Sequence, residues 1–264
     1  MHHLNTKPAQ FQRRKMKRFL SLIFFAVVVF MAMRYVSFNF VELFQSIPAF
    51  ITFIFVDFFP PNVSDIKDYA KPVLDTLFIG VVATCISSFL AMGAGLLMAH
   101  NTTPHPVIRF VSRGIVTFFR SIPFLLWASV LVIILGVGVL PGMIGLILFG
   151  SAFLARVYAE SIEEISSESL EALDAAGATY GQKIKHAIIP QFLPSFISWT
   201  LFMFEINIRA SAILGIVGAG GVGILIKQTM DLFQYSKTAT VITIMIVLIL
   251  TVEFITNRLR ERLI

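Results

Sequence analysis

Long apolar runs are the feature that most constrains what this chain can fold into. The stretch from 73 to 99 contains a single charged residue, Asp75. Five further stretches are similarly apolar, namely 19–33, 114–135, 139–155, 193–218 and 238–252. Crossing the hydrocarbon core of a bilayer takes about 20 residues, and the first stretch reaches that length once it is extended past Arg34. Because a spanning segment must satisfy its backbone polar groups internally, the sequence predicts an all-α integral membrane protein with about six transmembrane helices.

Basic residues cluster at both ends of the chain. Six of the 21 Lys and Arg residues precede residue 19, and Arg258, Arg260 and Arg262 lie in the last seven positions. Membrane proteins keep such clusters on the cytoplasmic side, so both termini are predicted to be cytoplasmic. A nucleic-acid surface would need these charges together on a soluble domain, and the apolar runs leave none to carry it. No small-residue cleavage site follows the first apolar run, which predicts an uncleaved signal anchor.

The topology follows from keeping the basic regions on one side of the membrane. An even number of spans must separate the N-terminal arm from the basic 156–190 region. Spans at about 19–37, 73–99, 113–136 and 140–160 provide four. The predicted organisation is a basic cytoplasmic arm (1–18), an N-terminal transmembrane helix (19–37), an extracytoplasmic or interfacial segment (38–72), a transmembrane domain (73–257) with a cytoplasmic loop at 160–192, and a cytoplasmic tail (258–264).

A polar helical hairpin is predicted within the 160–192 loop. Glu168, Glu171 and Asp174 recur every three residues and share one helical face, beside a small-residue face formed by Ala172, Ala175 and Ala176. Gly177 can adopt the left-handed conformation that ends a helix. Thr179 and Gln182 match a capping box that begins a second short helix, which Pro190 and Pro194 are expected to end. These local signals fit either a docking element or a solvated interhelical loop.

The hairpin resembles the EAA loop of ABC-importer permeases, which engages a cytoplasmic ATPase. That pattern is Glu-Ala-Ala, three residues, Gly, nine residues, Ile, one residue and Leu-Pro. Glu171, Ala172 and Gly177 hold their places, and Ile189-Pro190 stands where Leu-Pro is usual, whereas Leu173 and Ala187 depart from the pattern. The resemblance implies an ATPase-coupling role for the residues that match or flank it, namely Glu171, Ala172, Ala175, Ala176, Gly177, Ile189 and Pro190.

A second signature resembles the permeases of phosphonate-type ABC importers. It consists of F-E-I-N-I-R-A-S at 204–211 and I-L-G-I-V-G-A-G-G-V-G at 213–223, with R-S-I-P at 120–123, A-E-S-I-E-E-I at 159–165 and L-R-E-R-L at 259–263. The resemblance implies a five-helix permease core in a bacterial inner membrane, a homodimer, ATPase subunits, an extracytoplasmic solute-binding protein, and phosphonate, phosphite or a related oxyanion as substrate. Phe124 departs from the pattern, because the family commonly has an acidic residue after R-S-I-P.

Charged residues within the apolar runs are candidates for a substrate pathway. Glu205 and Arg209 lie four residues apart on one face of a predicted helix, with Asn207 on another. A charge near the bilayer centre costs about 2.5–3.5 kcal/mol, so each needs a partner or a wet cavity. Glu205 and Arg209 either form an ion pair that fixes helix packing, or Arg209 and Asn207 line an anion pathway while Glu205 restrains the arginine. Arg120 either joins that pathway or extends to the interface.

Gly218, Gly220 and Gly223 match a dinucleotide-binding fingerprint, but the match follows a predicted transmembrane span and no βαβ unit surrounds it. With Gly221, these glycines predict an extracytoplasmic re-entrant turn whose amides could face an anion, or a simple helix break. No P-loop motif is present, so the chain is expected to be a transport subunit without catalytic residues, metal or cofactor, with ATP and Mg²⁺ bound by a partner ATPase.

Three alternatives stay open at the level of sequence. One is an ABC permease for another solute, such as methionine. A secondary transporter or channel would use the same apolar spans but would not need a docking hairpin. A membrane-embedded enzyme would need convergent His, Cys or paired carboxylate residues at one membrane depth, and the sequence offers no such set.

Overall fold

The computed structural model describes residues 7–263, and within them the side chains of residues 14–262 apart from residue 167. Every regular element in these residues is helical, which confirms the predicted all-α class. Residues 1–6 of the predicted basic arm lie outside this range, and the rest of the arm forms the first turns of α1 (Lys7–Tyr35). The chain divides into two compact units, the first ending at Val56 and the second beginning at Asp57.

The first unit consists of α1 and α2 (Phe40–Thr52), and α2 continues as a π-helical turn, Phe53–Phe58. Asn39 caps α2, because its side-chain oxygen accepts a hydrogen bond from the Val41 amide at 2.9 Å. The helical run Phe40–Phe58 is long and apolar enough to cross a membrane, with a mean hydropathy of 1.5. The location of 38–72 outside the membrane stays a prediction.

The second unit is built around α3 (Ala70–Met98) and α6 (Val139–Glu163). Small residues let these two helices pack closely. A Cβ atom added to Gly95 would lie 3.1 Å from the Cβ atom of Tyr158, and one added to Gly150 would lie 2.7 Å from the Ser87 hydroxyl. Such contacts are typical of membrane helices, where packing rather than water exclusion drives association.

The span predicted at 113–136 is not one continuous helix, and its crossing of the membrane stays a prediction. The chain forms α4 (Pro106–Ser121) and α5 (Phe124–Leu135) instead, and their axes bend by 81° at the break. Pro123 explains the break, because its ring excludes the helical conformation from Ile122, which is extended at φ −98° and ψ 119°. Six helices in residues 7–263 qualify as membrane spans by length and hydropathy, or seven if this bent pair is one span.

The loop 160–192 contains α7 (Ser167–Ala175) and α8 (Tyr180–Lys183). The prediction that Pro190 and Pro194 end the second helix is wrong. A π-helical turn, Ile184–Ile188, joins α8 to α9 (Ile189–Leu214), so the helical run continues into the membrane span. The π-helical turn directly before Pro190 changes the hydrogen-bond spacing from four residues to five, and the helical run passes the missing N–H without ending.

Beyond α9, a short 3₁₀ turn (Gly215–Val217) and a glycine turn lead to α10 (Val222–Asp231) and then to α11 (Tyr235–Leu263). The predicted tail 258–264 is therefore helical as far as Leu263. Helix α11 packs against α9 and α10, and its polar N-terminal turns bind the segment that precedes α3. Thr240 donates a hydrogen bond to the Asn62 carbonyl at 2.7 Å, and Lys237 pairs with Asp65 at 2.6 Å.

Candidate functional site

The hairpin formed by α7 and α8 has the two caps that the sequence predicts. Gly177 adopts a left-handed φ of +74°. Its amide donates to the Asp174 carbonyl and the Ala178 amide donates to the Leu173 carbonyl, both at 2.9 Å. This is the Schellman arrangement, in which two otherwise unpaired carbonyls at a helix end gain donors. The glycine stop of the first helix is confirmed.

The second cap begins α8 and fixes the two arms of the hairpin together. The Thr179 amide donates to the Gln182 side chain at 2.7 Å, and the reciprocal bond from the Gln182 amide to the Thr179 hydroxyl completes a capping box. Lys183 forms an ion pair with Asp174 across the turn. The hairpin is thus closed by its own side chains.

The predicted ATPase-coupling residues lie on the exposed surface of the hairpin and of the following turn. Ile189 is 45% exposed, and the remaining members of the set are exposed too: Glu171, Ala172, Ala175, Ala176, Gly177 and Pro190. The two departures from the EAA pattern lie further inside, since Leu173 is half-buried and Ala187 is buried. The departures from the EAA pattern at Leu173 and Ala187 therefore lie away from the exposed face of the hairpin.

Glu205 and Arg209 meet on α9, but Arg209 is not the nearest cation to Glu205. The Glu205 carboxylate accepts hydrogen bonds from Arg260 of α11 at 2.8 Å and from Thr256 at 2.6 Å. Arg209 lies 3.6 Å from Glu205 and 3.9 Å from Glu253. The Glu205 side chain is 8% exposed, whereas that of Arg209 is 49% exposed. The carboxylate is therefore held by α11, and Arg209 is held loosely at its edge.

Arg260 also lines a cavity of about 370 Å³ beside α9, with Pro194, Ser195, Ser198, Trp199 and Phe202. Positions 195, 198, 202, 205 and 209 lie on one face of a helix, because their spacings of three and four follow the helical period. The cavity and the Glu205–Arg209 pair therefore share a continuous face of α9. Sequence reasoning missed Arg260 as the partner of Glu205.

Asn207 and Arg120 lie apart from this cluster. Asn207 is fully buried, and its side-chain amide donates to the Thr84 hydroxyl of α3 at 2.8 Å. Its carbonyl oxygen has no hydrogen-bond partner among the described atoms. Arg120 is exposed at the end of α4, and within residues 14–262 it forms no ion pair. The roles predicted for these two residues in an anion pathway stay predictions.

The glycine turn is buried, and its glycines are needed for packing. Gly218, Gly220 and Gly221 have φ values of +82°, +91° and +72°, and a Cβ atom on Gly220 would lie 2.8 Å from the Cα atom of Val139. A side chain on Gly223 would overlap the Ala212 carbonyl. The structure thus gives these glycines a steric reason, and a contact between the turn amides and an anion stays a prediction.

A third group of contacts joins the hairpin to the α3–α4 loop. The Tyr180 hydroxyl donates to the Thr102 carbonyl at 2.7 Å. Glu163, at the end of α6, accepts from Arg113 at 2.6 Å and from the His100 amide at 2.8 Å. These pairs could not be predicted from local patterns, because each joins residues that are 50 or more positions apart. Among the described side chains, no group of His, Cys, Asp and Glu could hold a metal ion.

Known proteins resemble this chain over about three quarters of its length. Residues 91–264 match the family described as binding-protein-dependent transport system inner membrane component. The chain is 32% identical over 202 residues to the phosphite transport system permease protein PtxC of Stutzerimonas stutzeri, covering 76% of this chain and 74% of that protein. It is 33% identical over 202 residues to the phosphate-import permease protein PhnE of Mycolicibacterium smegmatis, covering 76% of this chain but only 38% of that protein.

Solved structures show the same fold at lower identity. The MetNI methionine ABC transporter in an inward-facing conformation aligns with a TM-score of 0.66 and 23% identity. The alignment covers 74% of this chain and 96% of that chain. At this identity the likeness concerns the fold alone.

Proposed function

Since the chain belongs to the family of binding-protein-dependent transport system inner membrane components, a family of multi-pass transport subunits, we propose that it is the permease of an ATP-driven ABC importer for phosphonate, phosphite or a related phosphorus oxyanion. One observation carries the substrate class. Two relatives that are 32% and 33% identical over three quarters of this chain are named for phosphite transport and phosphate import. The methionine transporter, at 23% identity, supports the fold but not its substrate.

The proposed assembly contains two copies of this chain, ATPase subunits on the cytoplasmic side and a solute-binding protein on the other. The chain has no P-loop motif, so ATP and Mg²⁺ are held by the ATPase and not by this subunit. Both termini are cytoplasmic in this proposal, because the basic clusters lie there. The exposed hairpin around Gly177 then faces the ATPase.

In the proposed mechanism this chain performs no covalent chemistry. Closure of the ATPase dimer displaces the hairpin, and the permease switches between an inward-facing and an outward-facing arrangement. The half-exposed Arg209 offers its guanidinium to a passing oxyanion, while Glu205 is held by Arg260 and keeps α9 in register with α11. ATP binding favours one of two existing arrangements through contacts that differ between them.

Copurification tests this proposal directly. The tagged chain, extracted gently from its native membranes, is expected to bring down an ATPase with a P-loop motif. Gly177→Asp places a charge on the exposed hairpin and should lose the ATPase, whereas Gly177→Asn has nearly the same shape and tolerates the same left-handed backbone. Retention of the ATPase by Gly177→Asp would argue against docking of the ATPase on this hairpin. Purification of the wild-type chain without any ATPase would argue for a secondary transporter or channel.

A further inference from the structure

The α3–α4 loop is tied to the end of α6 through both backbone and side chains. The Asn101 side-chain amide donates to the Ile162 carbonyl at 2.7 Å, and the His100 amide donates to Glu163 at 2.8 Å. Thr102 is only 3% exposed, and its hydroxyl donates to the Leu96 carbonyl at 2.7 Å. The loop therefore has little freedom to move independently of α6.

Helix α4 is tied to the same point. The Arg113 guanidinium donates to Glu163 at 2.6 Å and to the Met98 carbonyl at 3.2 Å. Arg109, one turn earlier, lies 3.7 Å from the same carboxylate. Glu163 thus joins the end of α6, the loop and the first arm of the bent pair, so a displacement of the loop is passed to α4.

Tyr180 connects the hairpin to this junction. It is the first residue of α8, directly after the N-cap residue Thr179, and its hydroxyl donates to the Thr102 carbonyl at 2.7 Å. Its orientation is set by the closed hairpin, because the Thr179–Gln182 cap fixes the turn from which the ring extends. Since the acceptor is a backbone carbonyl of a buried residue, a displacement of Tyr180 pulls on the loop itself.

We propose that Tyr180 is a positioning residue that carries the displacement of the hairpin to the α3–α4 loop and, through Glu163 and Arg113, to α4. This inference rests on the proposed function, in which the hairpin moves with the ATPase. The end point of the relay is the 81° break between α4 and α5, where a rotation of one arm changes the angle of the pair. In this proposal the bent pair has two arrangements, and the relay biases the equilibrium between them.

The test measures the phosphite imported per ATP hydrolysed by the copurified complex in proteoliposomes. Tyr180→Phe keeps the ring and removes the hydroxyl, so the complex should still assemble and hydrolyse ATP. One hydrogen bond of this kind shifts an equilibrium by about two- to tenfold. The amount of phosphite imported per ATP hydrolysed should therefore decrease by a factor in that range. Tyr69→Phe is the matched control, because the Tyr69 hydroxyl has no partner among the described atoms, and it should leave the ratio unchanged.

A second variant separates the relay from direct contact with the ATPase. Arg113→Gln weakens the link at α4 and should also lower the ratio while the ATPase stays bound. If Tyr180 and Arg113 act in one relay, the double variant should import as much phosphite per ATP as the single variant with the lower ratio. A double variant whose ratio is reduced by the product of the two single effects would overturn the proposal. An unchanged ratio in Tyr180→Phe would overturn it too, with the proposed function intact. A wild-type complex that imports none of phosphite, methylphosphonate and phosphate at the expense of ATP would contradict the proposed function and this inference with it.

Discussion

Replacing Glu205 shows which contacts hold α9 against α11. The buried carboxylate accepts hydrogen bonds from Arg260 at 2.8 Å and from Thr256 at 2.6 Å. A hydrogen bond to a charged group contributes about 1.5–3 kcal/mol, and loss of one partner leaves Arg260 without its carboxylate. Because Arg260 keeps some access to solvent, we expect Glu205→Ala to lower the free energy of unfolding by about 3 kcal/mol, the low end of the range for breaking a buried pair.

Arg209 is expected to matter little for stability. Its guanidinium is half-exposed and lies 3.6 Å from Glu205, and pairs of this kind contribute about 0.2–1 kcal/mol. Arg209→Ala should therefore leave the fold intact while impairing uptake, if the guanidinium guides the anion. The two substitutions separate a residue that holds the helices from one that faces the pathway.

The measurement is the apparent melting temperature of the purified chain in one detergent. For a chain of this size 1 kcal/mol corresponds to about 2–4 °C, so Glu205→Ala should melt about 6–12 °C lower and Arg209→Ala no more than about 4 °C lower. The double variant Glu205→Ala with Arg260→Ala should be less destabilised than the sum of its single variants, because the two residues interact directly. Recovery of stability in Glu205→Ala with Arg209→Ala instead would make Arg209 the main partner and refute this reasoning.

Two further predictions concern packing and pH. Gly142→Ala should lower the melting temperature, at a cost of about 1–3 kcal/mol, because its Cβ atom would overlap the Ala219 carbonyl; Gly93→Ala, with open space around it, should not. The hydrogen bond and charge of Lys237 hold the pKa of Asp65 below its usual value. The ion pair between Asp65 and Lys237 is therefore fully present above about pH 4 and is lost as the pH falls through the lowered pKa. Hydrogen exchange around Asp65 should rise in that range, and Asp65→Asn should abolish this pH dependence.

The sequence predicted a helix or a helix end well wherever the residues that determine it lie within a few positions of it. Hydropathy located five of the helices that are long and apolar enough to span, namely α1, α3, α6, α9 and α11. Gly177 ended α7, and Thr179 with Gln182 began α8. The effects of two prolines on helix ends were predicted wrongly. Pro123 ended a helix that was predicted to run on to residue 136, whereas Pro190 ended nothing, because the helical run continues through a π-helical turn into α9.

The contacts that define the candidate sites could not be read from one sequence. Glu205 and Arg209 are four residues apart and were paired by helical spacing, but the closer partner, Arg260, is 55 positions away. Tyr180 and Thr102 are 78 positions apart, and nothing in either residue indicates the other. The partner of a charged group or a hydroxyl depends on tertiary packing. Spacing along one helix predicts only the partners on that helix.

Uptake of labelled solute shows whether this chain imports a phosphorus oxyanion at the expense of ATP. Cells that lack this chain, and the same cells complemented with it, would be given radiolabelled phosphite, methylphosphonate, phosphate or methionine under phosphorus limitation. We expect the complemented cells to accumulate at least one of the phosphorus oxyanions. Depletion of ATP should abolish this accumulation, and Gly177→Asp should prevent it while Gly177→Asn supports it. Accumulation of methionine alone, or uptake of an oxyanion that persists without ATP, would contradict the proposed function.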